Sequence, residues 1–528
     1  VIQMKGDFSR DTFDPKKHYL RVLMQQGRVQ VDADWNEQAS ILLHYMQSLA
    51  RDIIGPYGKP ENDFVVFADS DLQNFKEKRA TRSTDNSWKD QLNPIWKNFP
   101  VLIDKLDALL EEDPKKMDGI GKSFLISPGH YYVDGLLCEN EDWIAYEDQP
   151  GGPLTDISKL NRMLVYLDVW ERHVAWCEEA SNSMREAALG PYGPDTATRS
   201  QLVWQVRIYE LENNNPIFIT AISGDGGKSN VDFEKFKNET ISGNRGRLSA
   251  MVQEQSGSGD ERCAANPSGK YLGLENQLYR VEIHQPAESA DGPTFKWSRD
   301  NGSLVFPVIE GKIRFPSDEN GKKMYVELAH LGLDESKALK KGDWVEFVHE
   351  DYVLQNRAES LLQVEDIDHQ TMVVTLVTKG NGKLPLSPEI ARLPILRRWD
   401  QCESKNPEIR PEGDIPIMPD WIDLEDGIQI MFEEEAKEDD TKKERTSDNK
   451  KQSLTKHYRT GDYWLIPARV ATNDIEWPSA TEGVLPHGIE HHYAPLAMLT
   501  KDTTTNKLKV NMNYEFGIKK LPLKRDDP

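Results

Sequence analysis

Phe124-Leu125-Ile126-Ser127-Pro128-Gly129-His130-Tyr131-Tyr132-Val133-Asp134-Gly135 reads as strand, turn, strand, turn. Apolar and aromatic residues fill the two runs, and Ser-Pro-Gly and Asp-Gly punctuate them. The same rhythm continues downstream at residues 163–170, 202–209 and 277–284, and at 294–297 ahead of an Asp300-Asn301-Gly302 turn. Between 341 and 377, Gly342-Asp343 leads into Trp344-Val345-Glu346-Phe347-Val348. A run at 361–367, a turn at Asp368-His369 and a run at 372–376 follow. Three short strands so spaced predict a small barrel or sandwich. The expected fold class is mainly β (α+β): several small β-sandwich or barrel-like units with an N-terminal arm and helix.

Upstream the period is helical. Asp34 reads as a cap with Glu37 as its reciprocal partner three residues on. Apolar residues then fall at Trp35, Ala39, Leu42, Met46, Leu49 and Ile53, in alternating steps of four and three, and Gly55-Pro56 closes the helix. This heptad stripe fits a helix docked on its own domain or one shared between subunits. Residues 1–33 have no regular apolar period and are read as an arm, with Phe8, Phe13 and Tyr19 as its anchors. The assembly candidates are Phe8, Arg10, Phe13, Tyr19, Trp35, Leu42, Met46 and Leu49.

The expected division is an arm and capped helix at 1–60 and a mostly helical charged insert at 61–122. A β-rich domain at 123–335, with a long loop near 224–259, precedes a small barrel-like unit at 336–390. The β-rich region 391–528 carries a charged loop at 433–453, expected to be mobile because it cannot bury enough to order itself.

A chain of 528 residues with 38% apolar content has room for two to four folded units. Its net charge of −23 argues against nucleic-acid binding, which needs a basic surface. Cys138, Cys177, Cys263 and Cys402 lie far apart, as expected of reduced thiols rather than a zinc knuckle or a disulfide scaffold. There is no secretory leader pattern at residues 1–7 and no apolar run of membrane-spanning length. The expected location is therefore cytoplasmic, with no direct membrane span.

Candidate chemistry is sparse. His487-Gly488-Ile489-Glu490-His491-His492 offers metal-ligating groups but lacks the helical HExxH spacing, so loop histidines and no metal are expected. Asp423, Glu425 and Asp426 before Gly427 fit a turn between strands better than a calcium loop. Glu178-Glu179 would serve a glycosidase only with convergent partners. Gly190-Pro191-Tyr192-Gly193-Pro194-Asp195 lacks the amides of a phosphate cradle. GxSxG, P-loop and GxGxxG-helix signatures do not occur. The expectation is no catalytic residue and no cofactor.

Several strings together resemble a bacterial family known for an N-terminal domain of unknown function. That domain often precedes a right-handed β-helix and is associated with phage-tail-like gene clusters. The strings are Met4-Lys5-Gly6-Asp7-Phe8-Ser9-Arg10 and Met24-Gln25-Gln26-Gly27-Arg28-Val29-Gln30-Val31-Asp32-Ala33-Asp34-Trp35-Asn36-Glu37-Gln38. Tyr166-Leu167-Asp168-Val169-Trp170-Glu171-Arg172-His173, Pro194-Asp195-Thr196-Ala197-Thr198-Arg199 and Phe295-Lys296-Trp297-Ser298-Arg299-Asp300-Asn301-Gly302 follow. Gly461-Asp462-Tyr463-Trp464-Leu465-Ile466-Pro467-Ala468-Arg469 and His491-His492-Tyr493-Ala494-Pro495-Leu496 complete the set. The segment before Pro194 and the inserts near 70–120 and 433–453 depart from the family pattern.

The resemblance implies a structural component of a phage-tail-like contractile injection particle, near its baseplate, spike or fibre attachment. Its partners would be the other subunits of that particle and further copies of itself, three- or six-fold. It brings no catalytic residues. The alternatives are a carbohydrate-binding or carbohydrate-cleaving surface protein, which clustered carboxylates in a groove would favour, and an effector cargo of the particle.

Overall fold

A computed structural model describes residues 4–81, 86–112, 123–179, 195–211, 245–253, 270–316, 321–332, 334–385, 391–401, 408–418, 420–433, 458–478, 482–502 and 507–514, with isolated positions between them. The fold is mainly β, with few helices. The chain divides into two compact units, each assembled from separated stretches.

The first unit comprises residues 1–40, 172–201 and 242–490. It holds a five-stranded antiparallel sheet in the order Ile415–Pro416, Thr294–Ser298, Gln277–Ile283, Tyr463–Arg469, Asp474–Ile475. Tyr279, Val281, Phe295, Trp297, Trp464 and Ile466 bury one apolar core between this sheet and a three-stranded one. That smaller sheet is Ile422–Asp423, Ile428–Glu433 and Arg247–Val252. Large aromatics at alternate strand positions supply most of the buried area. A closed barrel follows, in the order Val305–Arg314, Lys323–Leu328, Val373–Val377, Leu362–Asp368, Trp344–Val348, Ile395–Trp399. Phe306, Met324, Val326, Val345, Phe347, Val364, Val374 and Leu376 fill its interior. Closure leaves no free strand edge. The barrel runs from Val305 to Trp399 and so takes in strands on both sides of residues 336–390.

The second unit comprises residues 41–171, 202–241 and 491–528. A four-stranded sheet runs Leu508–Asn513, His491–Lys501, Arg162–Val174, Arg199–Glu210. Two three-stranded sheets, Tyr57–Gly58 with Gly129–Val133 and Leu136–Asn140, and Val66–Ala68 with Phe124–Ile126 and Ile144–Ala145, complete the β framework. Helices Asp69–Ala80, Pro94–Lys97 and Pro100–Glu112 bury Phe75, Trp96, Leu102 and Leu106 against Phe67. The Phe67 and Trp96 rings stack at 3.9 Å.

Three sequence readings change. The long helix starts at Asp32, not after Asp34, and Glu37 bonds Thr12 rather than closing a capping box. The stretch read as a loop at 224–259 contains the strand Arg247–Val252, whose Leu248 and Ala250 are buried. Its alternation is hidden in the sequence by flanking glycine, serine and charge. The same stretch also carries Phe233 and Phe236, both buried in the second unit. The prolyl turn at 190–194 and the charged loop from 434 to 453 lie outside the described residues.

Candidate assembly surface

The first residues of the arm are latched to the first unit. Asn301, in the left-handed region at φ 51°, presents its amide to the chain start, and its Nδ2 donates to Met4 O at 2.8 Å and Gly6 O at 3.0 Å. Asn is one of the few side chains that occupy this backbone region readily. Gly6 also sits at positive φ, and a Cβ there would meet the Phe8 ring at 2.7 Å. Phe8 itself packs on Leu278, Tyr463 and Leu465. Lys5 Nζ reaches Glu282 Oε1 at 3.2 Å.

Glu282 belongs to a buried charge network on the sheet. Arg280 Nε donates to it at 2.7 Å, and Lys296 Nζ lies 3.5 Å away. Lys296 also donates to Glu346 at 2.5 Å, whose carboxylate accepts from Tyr352 Oη at 2.6 Å and Trp399 Nε1 at 2.9 Å. Burial pushes the Glu346 carboxyl up, but Lys296 and Lys5 outweigh that effect and hold it at about 2. Burial likewise opposes ionisation of Glu282, and Lys5, Arg280 and Lys296 hold it well below the usual carboxylate range.

Beyond Phe8 the arm is held by polar contacts. Ser9 donates from its amide and its hydroxyl to Asp32, at 2.8 and 2.7 Å, at the start of the long helix. Arg469 donates to Ser9 O at 3.0 Å while pairing with Glu476. Arg10 stays exposed, 3.9 Å from Glu476, and Phe13 is partly buried. Val22 N donates to Gln38 Oε1 at 2.9 Å.

The rest of the arm and the helix Asp32–Ile54 turn apolar side chains outward. Tyr19, Leu20, Leu23, Met24, Val29 and Val31 are exposed, and so are Trp35, Leu42, Leu43, Tyr45, Met46, Leu49 and Ile53. Thirteen of the 22 exposed large hydrophobics among the described residues therefore fall within residues 19–53. Monomeric soluble proteins rarely show contiguous apolar patches beyond a few hundred Å², so this concentration makes residues 19–53 the candidate interaction surface. The helix is inverted relative to a surface helix of a monomer. Its buried positions are Ala33 and Ile41, while the heptad stripe Trp35, Ala39, Leu42, Met46, Leu49, Ile53 is exposed. On the inward side, Gly135, at φ 86°, has no room for a Cβ against the Gln47 carbonyl, and Arg51 donates to Asp134 O at 3.4 Å.

Of the eight assembly candidates, Tyr19, Trp35, Leu42, Met46 and Leu49 lie on this surface. Phe8 and Phe13 are turned inward, and Arg10 is exposed beside them. Leu20, Leu23, Val29, Leu43 and Tyr45 add to the surface, though they fall outside the heptad template. Lys5 and Asn301 stand in the quoted strings, and Asn301 in the turn read at 300–302, but nothing in the sequence joined either to the other or to Glu282.

The other clusters have structural partners. His487 is buried in the first unit, where its Nδ1 accepts from Leu465 N at 3.0 Å and burial lowers its pKa to about 4. In the second unit His491 Nδ1 lies 2.6 Å from Asp168, with the imidazole stacked against Trp170 and Tyr493. Arg207 Nε pairs with the other Asp168 oxygen at 3.2 Å, and His492 Nδ1 lies 3.0 Å from Asp134. Asp426 and Gly427 form a left-handed turn between two strands, and Glu425 is gripped by Arg299 at 2.6 and 2.9 Å and by Tyr279. On the barrel exterior, Arg314, Tyr325, Glu327, Asp366, Asp368 and Thr371 line an open groove of about 560 Å³. Asp368 is committed to its own turn through Gln370 N and the Thr371 hydroxyl, and Glu327 pairs with Lys312 at 3.4 Å. Among the described residues no group of three or more His, Cys, Asp or Glu could hold a metal ion, and no helix is long and apolar enough to cross a membrane.

The model of a family of unknown function (DUF6519) matches residues 4–90, 110–217 and 237–441, more than half of the chain. No curated protein and no solved structure matches it.

Proposed function

The chain belongs to the DUF6519 family, and from that premise we propose that it is a non-catalytic structural subunit of a phage-tail-like contractile injection particle, near the baseplate, spike or fibre attachment. It is assembled in the bacterial cytosol from its partner subunits and from further copies of itself. The observation that carries the reading is the apolar surface of residues 19–53, presented on an arm whose first residues are latched to a rigid β scaffold. A catalyst buries its specific groups in a pocket. Here the charges of Lys5, Arg280, Glu282, Lys296 and Glu346 pair with one another, while the apolar side chains of residues 19–53 are turned outward. The association with phage-tail-like clusters rests on the quoted sequence strings.

The test is to purify particles from cells that express a tagged copy. The tagged chain at a fixed, integral copy number per particle is the expected result. Its absence from particles, or a variable copy number as for a cargo, refutes the proposal. A purified sample that turns over a glycan, peptide or nucleotide at an enzyme-like rate refutes its non-catalytic part.

The barrel groove favours one second reading, a carbohydrate-binding surface protein, because Tyr325, Glu327 and Asp366 combine an aromatic face with carboxylates. Glycan-array binding abolished by Tyr325→Ala supports it over the first reading.

A further inference from the structure

We propose that the outward face of the helix Asp32–Ile54 packs against the same face of two further copies of this chain, as a parallel three-helix bundle. The inference rests on the reading of the chain as an assembling subunit, and it names the occupant of the surface. The stripe repeats in steps of four and three from Trp35 to Ile53, the 3.5-residue period that a supercoiled partner helix of the same period matches. A second copy supplies that period without any further requirement. The exposed apolar side chains Trp35, Leu42, Leu43, Tyr45, Met46, Leu49 and Ile53 all lie on this one helix, a face that needs an apolar partner to leave water.

The width of the face sets the number. Leu43 and Tyr45 flank the stripe on opposite sides and are also exposed. A two-helix seam covers the stripe and only part of each flank, whereas in a bundle of three each helix has a neighbour on both sides. The flanking positions Asn36, Gln38, Leu43, Tyr45, Ala50 and Asp52 carry one charge between them, so like helices meet without repulsion. A closed three-fold arrangement makes the helices parallel by symmetry.

Three measurements on the full chain test this. Native mass spectrometry at micromolar concentration is expected to give three times the chain mass. Leu42→Lys with Met46→Lys is expected to lower that mass threefold, with unchanged far-UV circular dichroism and melting temperature. Leu49→Cys is expected to form an interchain disulfide under mild oxidation that the unsubstituted chain does not form, because parallel copies bring equivalent residues together. A monomeric chain, a lysine variant that keeps its mass, or a cysteine variant that does not cross-link overturns the bundle. The two proposals fail separately. A trimer that no particle incorporates removes the structural-subunit reading and leaves the bundle, whereas a monomer found in particles does the reverse.

Discussion

Glu346 is the residue whose role is most readily measured. Its folded-state carboxyl, held at about 2 against an ordinary 4.5, contributes stability that is complete above pH 4.5 and is lost as pH falls from there towards 2. Glu346→Gln also leaves Lys296 short of its closest carboxylate, so a loss on the order of 3 kcal/mol at pH 7 is expected. Thermal unfolding followed from pH 6 to pH 2.5 should fall more shallowly for the variant than for the parent; parallel curves would rule out the assignment. Little of this was legible in the sequence. Arg299 and Arg469, both inside the quoted strings, pair with Glu425 and Glu476. Lys5 and Glu282 are 277 positions apart, and no local pattern connects them. Only the folding of the chain start onto the sheet brings them together.

At the level of elements, the helix Asp32–Ile54 shows what periodicity can and cannot say. Its existence and its heptad stripe were readable, because a 3.5-residue spacing has one physical meaning. Which side of the helix would face its own chain was not readable, because spacing defines a face and not what lies against it. The helix begins two residues before the Asp34 that the sequence offered as its cap, and Ser9 of the arm bonds Asp32 there. Asp32→Ala removes both Ser9 bonds at once and should cost about 1 kcal/mol of local stability, the net worth of such hydrogen bonds. Hydrogen exchange should accelerate at Ser9 and in the first helical turn while the barrel amides are unchanged; equal protection in both proteins would show that the arm is held elsewhere. The strand Arg247–Val252 was unreadable for a different reason, since the short alternation of Leu248, Ala250 and Val252 does not stand out from a Gly- and Ser-rich surround.

For the whole molecule, the arm does two jobs that can be separated. Removing residues 1–10 strips Lys5 from Glu282 and Phe8 from its apolar site, so the melting temperature should fall by several degrees, about 4 °C or less per kcal/mol lost in a chain of this length. Leu20→Ser with Leu23→Ser and Val29→Ser touches only exposed side chains, so melting should be unchanged while incorporation into particles is lost. Calorimetry and particle purification on the two variants check this, and the reverse pattern would contradict it. The mainly β class and a barrel were legible from strand spacing. The division into units was not, because each unit is stitched from stretches far apart in the chain.

That stitching has a consequence for synthesis. Tyr463–Arg469 lies inside the five-stranded sheet, and His491–Lys501 pairs with Arg162–Val174 inside the four-stranded one. A ribosome that has just released residue 174 needs about half a minute, at roughly 5–20 residues per second, before residue 491 emerges. Through that interval both units lack an interior strand, and the apolar arm has already left the tunnel without its latch site complete. The five-stranded and four-stranded sheets can close only after these late strands emerge, whereas the barrel, complete by Trp399, can close before them. In nascent chains stalled near residue 450 the barrel should resist protease while both sheets are digested, and chains stalled well past residue 514 should resist throughout. Early protection of either sheet would show that it closes without its late strand.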